Sequence, residues 1–269
     1  MHPSKFRYTL KPEAPHPAHP LSVTFRAGAG TTPPAVDLRP SMPPVYDQGQ
    51  LGSCTSFACA SAYQFLDKTL NGSRLFLYYN ERVLDGDVGV DGGSQMSTGI
   101  RALQTSGLCA EATWPYVISK FADVPPAAAF TEGIQHLATR IGVVIQDELH
   151  MKTCLASGYP FVTGIAVYAS FESDAAMKTG VVPMPSQGEA LLGYHAIVVV
   201  GYDDAKGWWI CRNSWGVGVM DKGYFYLPYA YLDANNLASD MWVITGVSSP
   251  PAPPPPPAPP APSCRCTIA

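Results

Sequence analysis

Charge is scarce in this chain of 269 residues: only 14% is Asp, Glu, Lys or Arg, and the formal net charge is −4. Nucleic-acid binding needs Lys and Arg clustered against phosphates, and without a basic stripe it is not expected. No apolar run approaches the 18 or so residues of a membrane-spanning helix, so none is expected. The N-terminus, MHPSKFRYTLKPEAPHP, lacks the apolar core of a signal peptide, and secretion by the usual route is not expected either. Paired CxxC cysteines are missing. The seven cysteines, Cys54, Cys59, Cys109, Cys154, Cys211, Cys264 and Cys266, are odd in number and mostly far apart. They read as reduced thiols of an intracellular, cytoplasmic protein rather than a disulfide framework.

What the chain has is apolar content, 46% of residues, enough to build a core in one large domain or two small ones. Residues 1–34 are proline-rich without a helical or strand period, and read as an extended lead-in. From Cys54, apolar and small residues recur at three and four positions until Asn71-Gly72, which predicts a buried helix. Further helices are expected over about 75–84 and 94–105, the latter capped by Ser94, and over about 146–157. After Ile141 short β-branched and aromatic runs take over: 143–145, 161–168, 197–202, 208–212 and 224–227. The fold class is therefore α+β, two lobes with a cleft between. The domain should span 35–247, with a helical lobe over about 45–140 and a β lobe over about 141–247.

The chemistry is concentrated in three stretches. Asp47 to Ser61, DQGQLGSCTSFACAS, places Cys54 where a Gly-rich loop meets a helix. The free N–H groups and positive dipole end there favour a thiolate. Gln48 offers a neutral amide donor to an oxyanion. Tyr194-His195-Ala196 precedes a Val-rich strand and supplies a base, and Arg212-Asn213-Ser214-Trp215-Gly216 supplies a group to orient it. Cysteine, histidine and asparagine with an upstream glutamine make an acyl-transfer site.

These stretches resemble the papain-like cysteine peptidases. The match rests on QG-x-x-GSC around Cys54, the glycines of Asp91-Gly92-Gly93, WPY at 114–116, H-A-x-x-x-V-G-Y at 195–202 and NSWG at 213–216, in the family's order. The resemblance implies a helical lobe and a β-barrel-like lobe flanking the active-site cleft. It implies Cys54 as nucleophile, His195 as base and then acid, Asn213 as the group that orients the imidazole, and Trp215 as its shield. Gln48 and the Cys54 N–H would form the oxyanion hole, while Gly92 and Gly93 would bind an extended peptide. No metal or organic cofactor is implied, and the expected partner is a peptide or protein substrate of a monomeric enzyme. Peptide-bond hydrolysis is the expected reaction. Ligation or transfer on the same site, and a non-catalytic binding protein, are the alternatives. Relative to the family, Leu51 and Val90 replace both ends of a disulfide, which fits a reducing compartment. Thr55 and Val219 replace tryptophans, and Tyr194 replaces an Asp or Asn.

The two ends of the chain add expectations of their own. The lead-in is too short and too proline-rich for the family's helical propeptide. It reads as a structural strap, with a small inhibitor lying across the cleft as the other reading. The tail, residues 248–269, is proline and alanine up to Pro262, a polyproline II spacer and a candidate ligand for SH3- or WW-type partners. It ends in Cys-Thr-Ile-Ala, which has the form of a prenylation box on Cys266, with Cys264 beside it for a second lipid. Peripheral membrane anchoring is one reading of that box and a chance match is the other.

Overall fold

The computed structural model describes residue 4, residues 6–13 and 23–25, and residues 32–248. Cys264, Cys266 and the polyproline spacer lie outside the described residues, and the lipid and SH3/WW readings lie there with them. The five cysteines among the described residues are all free thiols.

The helical half is built around α1 (Cys54–Leu66), every residue of which is buried from Cys54 to Gln64. Its Ala, Ser, Thr and Cys side chains are small enough for neighbours to close on all sides, and a helix apolar all round belongs inside. Next comes α2 (Arg74–Asp85), whose cap Ser73 accepts from the Phe76 N–H at 3.1 Å and whose end is turned by Gly86 at φ 78°. For α3 (Met96–Thr105) the expected cap is corrected. Gln95 holds the cap position, and the Ser94 hydroxyl instead donates to Asp85 Oδ2 at 2.8 Å. A charged acceptor within reach holds a hydroxyl more strongly than a backbone N–H does. The Pro125-Pro126 pair does more than break the chain, because Pro126 is the N-cap of a short helix, α4 (Ala127–Gly133).

The β half is a single sheet. Its strands are β1 (Val23–Phe25), β2 (Ala35–Asp37), β3 (Ala138–Val144), β4 (Phe161–Tyr168), β5 (Leu191–Asp203), β6 (Trp208–Arg212), β7 (Tyr224–Pro228) and β8 (Ala238–Val247). They lie in the order β1-β3-β8-β4-β5-β6-β7, with β2 also on β5. All pairs are antiparallel except β1 with β3. Three short helices, α5 (Glu148–Ala156), α6 (Asp174–Thr179) and α7 (Tyr229–Asp233), complete this half. β1 is an extended piece of the lead-in, and its three residues are too few to show a period of two.

The sheet joins two cores. Along β5, Ile197 and Val199 point into the core of the β half with Phe161, Trp209 and Phe225. Ala196, Val198 and Val200 point the other way, against Ala58, Ala62 and Ile100 of the helical half. Alternate faces of one strand thus serve both lobes, and the seam between them runs along the start of β5 and the first turn of α1. That seam holds the site.

Candidate active site

Cys54 is the first residue of α1, and its thiol has no exposed surface. Ser53 makes no side-chain cap, so the first-turn N–H groups are left facing the sulfur. Burial pushes the Cys54 thiol up to about 11, against the backbone amides of Ala196, Thr55 and Thr9, which favour the thiolate. His195, opposite on β5, is equally buried, and desolvation pushes it down to about 4 despite its bond to Asn213. The two groups are therefore both neutral near pH 7 in this covered arrangement.

The imidazole is fixed from one side. Its Nε2 lies 2.9 Å from Asn213 Oδ1, which also accepts from the Ser214 N–H at 2.8 Å. An amide oxygen already accepting one N–H takes another, so Nε2 carries the proton and Nδ1 is left as the base. Nδ1 is buried and has no hydrogen-bond partner. Trp215 covers the ring, its centroid 5.1 Å away and tilted by 27°. Gln48 is held on both ends of its amide: Nε2 donates to the Leu51 carbonyl at 2.9 Å, and Oε1 accepts from the Ser214 hydroxyl. The second Nε2 hydrogen is left for a ligand. This arrangement can activate a thiol, hold an imidazolium and donate to a developing oxyanion.

The family model for papain family cysteine proteases matches residues 32–243. The chain belongs to the papain family of cysteine proteases. An uncharacterised peptidase C1-like protein of Acanthamoeba polyphaga mimivirus is 40% identical over 218 residues, covering 76% of this chain and 70% of that protein. Mouse cathepsin S is 29% identical over 217 residues, covering 76% of this chain and 62% of that one. Among solved structures, xylellain, a cysteine protease from Xylella fastidiosa, superposes with a TM-score of 0.81 at 34% identity, over 91% of this chain and 98% of that chain. The protein is accordingly a cysteine peptidase, a thiol-dependent hydrolase whose substrates are peptides or proteins.

The sequence left open whether the lead-in is a structural strap or lies across this papain-family site. Residues 6–13 lie directly across it. Phe6 stacks on Trp215 with ring centroids 3.8 Å apart and planes within 7°. Tyr8 meets His195 edge-on at 5.9 Å and donates its hydroxyl to Glu172 at 2.5 Å. Thr9 runs parallel to Tyr194 and donates its hydroxyl to the Gly52 carbonyl at 3.0 Å. The Leu10 N–H reaches the Tyr194 carbonyl at 3.2 Å, and the Lys11 N–H reaches the Ser94 carbonyl at 3.0 Å. Leu10 is buried over Gly164, at one side of a cavity of about 380 Å³ that Ser239 and Leu237 also line. Gly93, at φ 70°, is indispensable to this approach, because a Cβ there would stand 1.8 Å from the Thr9 carbonyl oxygen. Gly92 lies beside it, against the Lys11 stem.

Other residues at the site were missed. Thr55, read only as a departure from the family, donates to Glu81 Oε2 at 2.6 Å. That carboxyl, fully buried beneath the nucleophile helix, is pushed up to about 8 by desolvation, with Thr55 opposing the shift. Leu51, in the place of a disulfide cysteine, packs with Leu75 and Tyr78. A charged residue inside a helical run reads as an exposed face, which is why Glu81 gave no signal.

Proposed function

We propose that this protease hydrolyses peptide bonds through a thioester acyl-enzyme on Cys54, and that residues 6–13 keep it latent until they leave the cleft. The observation that carries the chemistry is the His195–Asn213 hydrogen bond, made at Nε2 so that Nδ1 is the free base on the seam with Cys54. The Cys54 proton passes to Nδ1, and the thiolate adds to the scissile carbonyl. The oxyanion is held by the Cys54 N–H and the Gln48 amide. Collapse expels the amine, which takes the proton from Nδ1. Water then attacks the thioester, giving its proton to His195, and the acid leaves with Cys54 regenerated. Asn213 keeps the ring oriented throughout, and Trp215 keeps water off their hydrogen bond.

Latency follows from polarity. His195 must protonate the leaving amine, so the leaving group lies on the side of His195 and Trp215 and the acyl part on the side of Gly93 and Gly164. A substrate presents its acyl part N-terminal to the scissile bond. Residues 6–13 run the other way: Phe6 and Tyr8 lie over Trp215 and His195, and Leu10 and Lys11 lie on the acyl side. A chain threaded backwards blocks the thiol without offering it a carbonyl in the productive sense. This favours the inhibitor reading of the lead-in over a purely structural strap.

The test is alkylation by an epoxide probe read by intact mass. One adduct is expected, absent in Cys54→Ala and much slower in His195→Ala. A variant with residues 6 and 10 changed, Phe6→Ala and Leu10→Ala, should label faster than wild type. No adduct on any of these proteins would sink the peptidase mechanism. Equal rates for wild type and the double variant would sink latency alone.

A further inference from the structure

The loop Asp85–Gly93, sequence DGDVGVDGG, carries three carboxylates on the acyl side of the cleft, and both cations of the strap end on it. Lys11 Nζ sits 2.8 Å from Asp87 Oδ2 and 3.6 Å from Asp85 Oδ2, and Arg7 lies 3.2 Å from Asp91 Oδ2. Asp85 and Asp91 are held in place by groups other than these cations, while the Asp87 carboxylate meets Lys11 itself. Asp85 accepts from the Ser94 and Thr98 hydroxyls at 2.8 and 3.0 Å. Asp91 Oδ1 accepts from the Tyr78 hydroxyl at 2.7 Å and from the Gly52 N–H at 2.9 Å. The side chains of Asp85 and Asp91 are only 14% and 18% exposed, so these two carboxylates stay in place when a cation departs. Beside it, Lys11 Cε lies 3.9 Å from where a Cβ on Gly92 would stand, so the backbone of Gly92 runs along the aliphatic stem.

We infer that Asp85 and Asp87, with Gly92 as the floor for the stem, form a substrate subsite for a Lys or Arg side chain, which Lys11 occupies in the latent enzyme. The inference rests on the peptidase reading above and names the class of peptide that this site takes. Lys11 is two residues beyond Thr9, whose backbone meets the Cys54 sulfur, and next to Leu10 in its pocket. A substrate of opposite polarity brings the third residue N-terminal to its scissile bond to the same place. The strap and the substrate then compete through one charge pattern: a peptide with an apolar residue for the Leu10 pocket and a basic one before it displaces the strap best.

The experiment uses the full chain and three peptidyl epoxides, acetyl-X-Leu-Gly with X as Lys, norleucine or Glu, read as the rate of Cys54 alkylation by intact mass. The strap slows all three by a common factor, so the ratio of rates reads the subsite alone. One partly exposed ion pair contributes up to about five-fold, so Lys should exceed norleucine by about that factor and Glu should fall below it. The ratio should fall in Asp87→Asn, and it should fall in wild type as NaCl is raised. A Lys-to-norleucine ratio of one in wild type, or a ratio unchanged in Asp87→Asn, overturns the subsite while leaving the peptidase standing. No alkylation by any probe in any variant overturns the peptidase reading, and the subsite falls with it.

Discussion

At the scale of single residues, the site is a set of buried polar groups held in place by their neighbours. Gln48 is the clearest case, because both ends of its amide are occupied by Leu51 and Ser214 and only one hydrogen is left to donate. On the proposed mechanism, in which Gln48 donates to the oxyanion, Gln48→Ala should lower kcat by about 10²–10³ with little change in KM, as steady-state kinetics on a fluorogenic peptide will show. Glu81 supports a second prediction, on stability. Its carboxyl is raised from 4.5 to about 8 by burial, so between those values the folded protein holds a proton that the unfolded chain has released. Stability from this group is thus present below pH 4.5 and declines as pH rises toward 8. His195 acts in the opposite sense: buried and neutral down to about 4, it costs stability as pH falls below 6.5. Glu81→Gln keeps the shape and removes only the first effect. Urea unfolding should find the variant gaining on wild type from pH 4.5 to 8 and level with a constant advantage above; parallel pH profiles would show that Glu81 does not titrate there.

At the scale of elements, what could be read from sequence was whatever one short stretch dictates. Cys54 at the start of α1, His195 on β5 and Asn213 after β6 were all legible, since each sits in a local pattern of loop and regular structure. β8 was not. Its residues Met241 and Val243 face one core and Trp242 and Ile244 the other, so no period of two appears, and Asp240 at φ 58° interrupts the run. A strap was read in the lead-in, but its course was illegible for a related reason: residues 6–13 have no regular structure of their own and take their shape from Tyr194, Ser94 and Gly52. Gly93 is where strap and substrate make the same demand on an element, a backbone surface with no side chain. Gly93→Ala should release the strap, because its Cβ would collide with the Thr9 carbonyl, and it should also hinder an extended substrate. The expected signature is split: faster alkylation of Cys54 by a small probe such as iodoacetamide, with slower turnover of a peptide. A variant slowed in both would show that the strap does not depend on Gly93.

At the scale of the whole molecule, two lobes share one strand and one chain segment is laid back over their seam. The segment is tied at several points of different character. Phe6 and Leu10 bury apolar surface against Trp215 and Gly164, while Arg7, Tyr8 and Lys11 make polar contacts with Asp91, Glu172, Asp85 and Asp87. Salt acts on these unequally, screening the partly exposed ion pairs and leaving apolar burial unweakened. The pairs each contribute no more than about 1 kcal/mol, so raising NaCl from about 0.05 to 0.5 M should speed full-chain turnover by a few fold rather than switch the enzyme on. The double variant Arg7→Gln and Lys11→Gln should start from the higher rate and respond little to salt, as initial rates on an uncharged peptide will show. If wild type and variant respond to salt alike, the ionic ties do not hold the strap, and the stacking of Phe6 and the burial of Leu10 hold it alone.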